Sequence, residues 1–183
     1  MTLKIGDLAA AIHVTTPVDR DVLRNQVRGL RDRGLLKALA APGGVDRFAP
    51  TEVYVARLLI AAIDGGVSGD SLHRLESEIR RGRTAVFPDT GNFEINLDAN
   101  LKRIADGENW IIECARSRDP EAGSPRFSAL WVRIQEDSRR NRFGPHHHDP
   151  HNPTAVTVDG SRIESVLTIN ASALLRPLIK AAT

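Results

Sequence analysis

Aromatic side chains make up only 4% of the 183 residues, there is a single cysteine, and no apolar run reaches the ~18 residues that a membrane-spanning helix needs. Few aromatics imply an aliphatic core, which a hydrophobic content of 41% is enough to build in a chain of this length. The lone Cys114 excludes an internal disulfide and a cysteine-based zinc site, and it fits a reducing compartment. Met1–Ala11 lacks the basic start and long apolar stretch of a signal peptide, so the expected location is cytoplasmic and the expected class a soluble globular protein. Also missing are a glycine-rich phosphate loop, a nucleophile motif and any dyad spacing among Glu108, Glu113 and Glu136. Catalysis is therefore not expected, and no cofactor is implied.

What the chain does have is arginine, unevenly placed. The formal net charge is only +2, but residues 1–83 hold 13 Lys/Arg against 10 Asp/Glu, and residues 84–183 hold 12 against 13. Eleven of the 13 N-terminal cations are arginine, whose planar fork suits phosphates and base edges. Arg20, Arg24, Arg28, Arg31 and Arg33 crowd into "RDVLRNQVRGLRDRGLL", residues 20–36.

That stretch lies second in a series of expected helices. Ile5, Leu8, Ala9 and Ile12 recur at helical spacing and predict a short helix over 5–12. Pro17 breaks it, and Asp19 is placed to cap the next helix. In this second helix Leu23, Val27 and Leu30 form an apolar face, with Arg20, Arg24, Arg28 and Arg31 on a stripe about 90° round from it at about 100° per residue. Gly34 is the expected stop. Segments 37–40 and 45–48 then flank Pro42-Gly43-Gly44 as a hairpin, and further helices are expected over 51–64 and 68–81, separated by Gly65-Gly66.

Residues 82–100 carry Pro88, two glycines and no heptad pattern, and read as a domain boundary. Beyond it, Trp110–Arg116 and Phe127–Ile134 predict an antiparallel pair of strands bearing both tryptophans. A polar loop follows, then strands at Ala155–Val158 and Ser165–Ile169, and a helix over 171–180 with Asn170 or Ser172 placed to cap it. The fold class expected is α+β: an N-terminal helical winged helix-turn-helix over 1–82, and a small module with antiparallel strands over 83–183 for dimerisation or regulation.

Within residues 3 to 80, several pieces in this order resemble one family. "IGDLAAAIHV" is similar to the opening of the MerR family of DNA-binding regulators, and "RGLRDRGLL" to the end of its recognition helix. "VDRFAPTEV" resembles its wing exit and third helix, and "GGVSGDSLHRL" its fourth. The resemblance implies that Arg28 is the recognition-helix arginine, Arg47 the wing arginine, and Gly34-Leu35-Leu36 the turn into the wing. It implies nothing for the rest of the chain, because the family's coiled-coil helix has no counterpart after Arg81.

The residues support double-stranded DNA as the partner on their own chemistry. Arginine donates bidentately to guanine O6 and N7, so Arg20 and Arg24, near the helix start, are the expected base readers, with Asn25 as a candidate for adenine. Arg28, Arg31, Arg47 and Lys37 are expected on phosphates. The ordinary alternative for such a stripe is a solvated face paired to Asp19, Asp21 and Asp32. A homodimer is expected because two half-sites lengthen the sequence that is read, and Leu167, Ile169, Leu174, Leu175 and Leu178 are its candidate contact, or else the last core strand and helix. The function expected is a sequence-specific, nucleoid-associated transcription regulator of bacterial or phage type. An excisionase-like architectural factor and a protein adaptor without DNA binding are the alternatives. "HHHDPH" (His146, His147, His148, Asp149, His151) carries zinc-type ligands, but neighbouring histidines point in different directions, so no metal site is assigned. His13 and His73 are expected to be structural, and Trp110, Trp131 and Cys114 to pack a core or a dimer contact rather than line a small-molecule pocket.

Overall fold

The computed structural model describes residues 2–40, 44–81, 83–87, 91–118, 121, 123–134 and 162–182, with the backbone alone at 83–87, 91–93 and 162. The hairpin tip at Pro42 and Gly43, the His146–His151 run and the strand expected at Ala155–Val158 lie outside the described residues.

Helix α1 (Ile5–His13) buries Leu8, Ala9 and Ile12, the stripe its spacing implies, and the Asp7 carboxylate accepts from the Lys4 backbone N–H at 2.8 Å at its start. Six residues later, α2 (Arg20–Asp32) begins at Asp19, whose Oδ1 accepts from the N–H groups of Asp21 (2.8 Å) and Val22 (3.2 Å). Two helix-start donors that water would otherwise satisfy are thereby bonded. α2 stops where Leu35 N–H donates to the Leu30 carbonyl and Gly34 N–H to that of Arg31, a closure that needs a left-handed residue between them. Gly34, at φ +71°, supplies it.

The chain then forms strands β1 (Ala38–Leu39) and β2 (Arg47–Phe48), antiparallel with Ala38 opposite Phe48 and Leu39 opposite Arg47. Phe48 is fully buried and exchanges both backbone hydrogen bonds with Leu3 at 2.9 Å, which ties the chain start to the hairpin. α3 (Glu52–Asp64) packs on α1 and α2 and buries Val53, Val55, Ala56, Leu58, Leu59, Ile60 and Ala62. Buried Glu52 at its start accepts from the Lys37 N–H at 3.0 Å, fixing where the hairpin leaves. α4 (Asp70–Arg80) adds Leu72, Leu75 and Ile79 to the buried set.

Residues 82–100 depart from expectation. They contain an antiparallel hairpin of β3 (Arg83–Phe87) and β4 (Gly91–Ile95), then α5 (Leu97–Ala105), capped by the Asn96 side chain accepting from Ala99 N–H at 2.8 Å. β5 (Asn109–Arg118) is the middle strand of a three-stranded antiparallel sheet, between β6 (Pro125–Ile134) and β7 (Arg162–Ile169). Trp110 to Ala115 are buried without alternation, as befits a strand covered on both faces. The pairing expected between the two tryptophan-bearing strands is present, with Ile112 opposite Trp131. α6 (Ala171–Ala182) closes the described chain, and Ser172 sits inside its first turn, its hydroxyl accepting from Trp110 N–H (2.7 Å) and donating to the Glu108 carbonyl (3.2 Å).

The architecture is α+β, with six helices, two two-stranded sheets and one three-stranded sheet among the described residues. None of these helices is long and apolar enough to cross a membrane. By mutual contact the chain forms two units, one of residues 1–76 with 173–183, the other of residues 77–172. The sequence reading grouped 83–183 together, whereas α6 from Ala173 onward belongs with the first unit. The apolar run suggested as a dimer contact also needs correcting. Ile169, Leu175 and Leu178 are buried in the single chain and so are already spent on its own core, and Leu167 and Leu174 are half-buried.

Candidate nucleic-acid interface

α2 is anchored by Leu23, Val27 and Leu30, all buried, which fixes its rotation and decides what it shows to solvent. Arg20, Arg24, Asn25 and Arg28 are exposed, as is Arg33 just past the helix end. Arg20, Arg24 and Arg28 have no carboxylate partner among the described residues, and the Arg28 guanidinium donates to the Asn25 side-chain amide carbonyl at 3.4 Å. The aspartates that compete for these arginines are otherwise engaged or idle. Asp19 caps the helix, Asp32 binds Arg31, and Asp21 forms no ion pair among the described residues.

Arg31 behaves differently from its neighbours. Its Nε donates to Asp32 at 2.7 Å, and a terminal nitrogen donates to Asp46 at 3.0 Å, across fifteen residues of sequence. The hydrogen bond to Asp46, then that to Asp32, holds its guanidinium above the usual arginine range. Arg31 therefore braces α2 to the arm that enters β2 rather than standing ready for a phosphate. Arg47 is half-buried on β2, and Lys37 is exposed immediately before β1, so the two remaining arm cations flank one short hairpin.

Two arginines stand outside the DNA-contact set that the sequence suggests. Arg33 belongs to the arginine cluster and lies exposed beside Gly34. Arg57 stands in a helix that reads as apolar nearly all round, and its Nε is buried without an acceptor. Desolvation lowers its pKa, opposed by the charge of Asp64.

The tryptophan region of the second unit builds a core. Trp110 is fully buried, meets Trp131 edge-on (6.5 Å between centroids, 75° between planes) and donates its indole N–H to Glu108 at 2.9 Å. Arg103 lies over the Trp110 ring at 5.8 Å while donating to the Glu94 carbonyl (2.6 Å) and to Asn100 (3.0 Å). Cys114 is buried, and burial, then the charge of Glu113, pushes its thiol up to about 12, which leaves it protonated and unreactive near neutrality. His13 is structural, its Nδ1 2.9 Å from the Val18 carbonyl across the α1–α2 turn, whereas His73 is exposed on α4. No group of three or more His, Cys, Asp or Glu among the described residues is placed to hold a metal ion. Neither the models of known protein families nor the curated proteins give a match to this chain.

Proposed function

We propose that the chain is a sequence-specific double-stranded DNA-binding protein acting as a transcription regulator, with residues 2–80 serving as a winged helix-turn-helix. In this reading α2 enters the major groove, and the β1–β2 arm carries Lys37 and Arg47 to the adjacent backbone. The observation that carries it is the contrast along one helix: Arg20, Arg24 and Arg28 are exposed without a carboxylate partner, while Arg31 is fully engaged. Guanidinium groups left without a carboxylate partner beside a rigid apolar anchor are what a polyanion with regularly spaced phosphates requires. The arm that follows α2 directly and the resemblance of residues 3–80 to the MerR family point the same way.

The test is a titration of the full chain against a random duplex at rising salt. Binding at low ionic strength whose logarithm falls linearly with the logarithm of salt supports the proposal. Absence of binding at the lowest salt rejects it and moves the arginine edge to an acidic protein partner. Selection of bound duplexes from a random pool then separates a regulator from a sequence-blind architectural factor.

A further inference from the structure

Two residues on α2 serve no purpose inside the chain. Gly29 lies in the helix interior, where glycine is the poorest choice after proline, yet its φ is not positive and a methyl group in its place meets no other atom within 4 Å. Neither backbone conformation nor packing calls for it. Val22, in the first turn, is 49% exposed, one of few large apolar side chains left in solvent among the described residues. Seven residues apart, the two fall within about 20° of each other on the helix, and Asn25 lies between them, three residues from one and four from the other. The three, themselves uncharged, make a stripe on the solvent side of α2, with exposed Asp21 one turn before Asn25 and Arg28 hydrogen-bonded to Asn25.

We infer that this stripe, rather than the arginine edge, is the specificity-determining surface, and that its target is an adenine-thymine step in the major groove. The inference rests on the DNA reading proposed above. Val22 packs on a thymine methyl, Asn25 pairs with adenine N6 and N7, and Gly29 lets the groove wall come within van der Waals distance of the helix backbone. Arg24 and Arg28 lie to one side of the stripe and meet phosphates, which places positive charge where the duplex carries its negative charge. This assignment explains together an exposed valine and a mid-helix glycine that the fold itself does not need.

Gly29→Ala gives the decisive measurement, because its effects on folding and on binding run in opposite directions. The full-length variant is expected to melt a few degrees higher than the wild type, roughly the gain of removing a helix-interior glycine. Its affinity for the duplex selected by the wild type is expected to fall on the order of tenfold. Val22→Ala and Asn25→Ala are each expected to cut the ratio of selected to random affinity by about tenfold, at adjacent positions of an A·T-containing site. The inference is overturned if Gly29→Ala binds as the wild type does, if it melts lower, or if the selected duplexes show no A·T step. Loss of all discrimination in Arg24→Ala with none in Asn25→Ala overturns it too. A wild type that binds no duplex at low salt defeats the proposed function itself, whereas a wild type that binds while Gly29→Ala is indistinguishable from it defeats only the assignment of the stripe.

Discussion

Arginine is used in opposite ways in the two units. In the second, Arg116 and Arg118 on β5 converge on Glu164 of β7 at 3.7 and 2.6 Å, and Arg103 is held between a carbonyl, an asparagine and the Trp110 ring. In the first, Arg20, Arg24 and Arg28 project from α2 with no carboxylate near enough to pair. The residue type is the same; what separates a structural arginine from a partner-directed one is whether the fold has already answered its charge. Counting cations does not reveal this, since the charge excess of the first 83 residues is small.

The contrast is sharpest where a change removes a residue the second unit is built around. Trp110→Ala should destabilise the protein by about 3–5 kcal/mol, because a fully buried indole and its edge-on contact with Trp131 are lost together, as denaturant unfolding would register. Next in size is the combined Arg20→Ala, Arg24→Ala, Arg28→Ala variant. It should unfold as the wild type does, yet lower the salt slope of duplex binding by up to about three, one for each phosphate contact removed. Arg116→Ala with Arg118→Ala is the matched control and should leave that slope as it was. If both sets of changes act alike, the distinction between the units fails.

A smaller effect tests the stop of α2. Gly34→Ala forces a side chain into the left-handed region at φ +71° and should cost about 1 kcal/mol of stability, although a methyl group there meets no atom within 4 Å. Gly29→Ala, on the same helix with ordinary φ, has the opposite sign, so the pair separates backbone strain from packing. The smallest change is expected from Arg31→Ala, which removes the brace to Asp46 but no phosphate contact. Its salt slope should match the wild type; a drop of about one would return Arg31 to the DNA-contacting set.

Local rules carried much of the first unit. Asp19, Pro17 and Gly34 mark the limits of α2 in the sequence, and the period of Leu23, Val27 and Leu30 gives its buried face, because capping and amphipathicity act over only a few residues. The same rules apply to α5. Asn96, the spacing of Leu97, Leu101 and Ile104, and Gly107 at φ +102° frame a helix as clearly as Asp19 and Gly34 do, but Pro88 and the glycines near it carry the stronger signal of a boundary. Other features had no local signal at all. The Arg31–Asp46 contact joins residues fifteen apart, and the burial of Leu175 and Leu178 depends on which unit receives their helix. An apolar stripe tells that a helix packs, not on what.

Residues 173–183 group with residues 1–76, and this sets an order on the protein's birth. Residues 77–172 must be translated before the first unit can acquire its final helix, a delay of roughly 5 to 20 s at ribosomal speeds. A nascent chain paused anywhere in that interval, or a fragment ending at residue 83, displays a first unit without α6. Chaperone dependence of the growing polypeptide should therefore end with the emergence of α6, not with the completion of the helices that precede it.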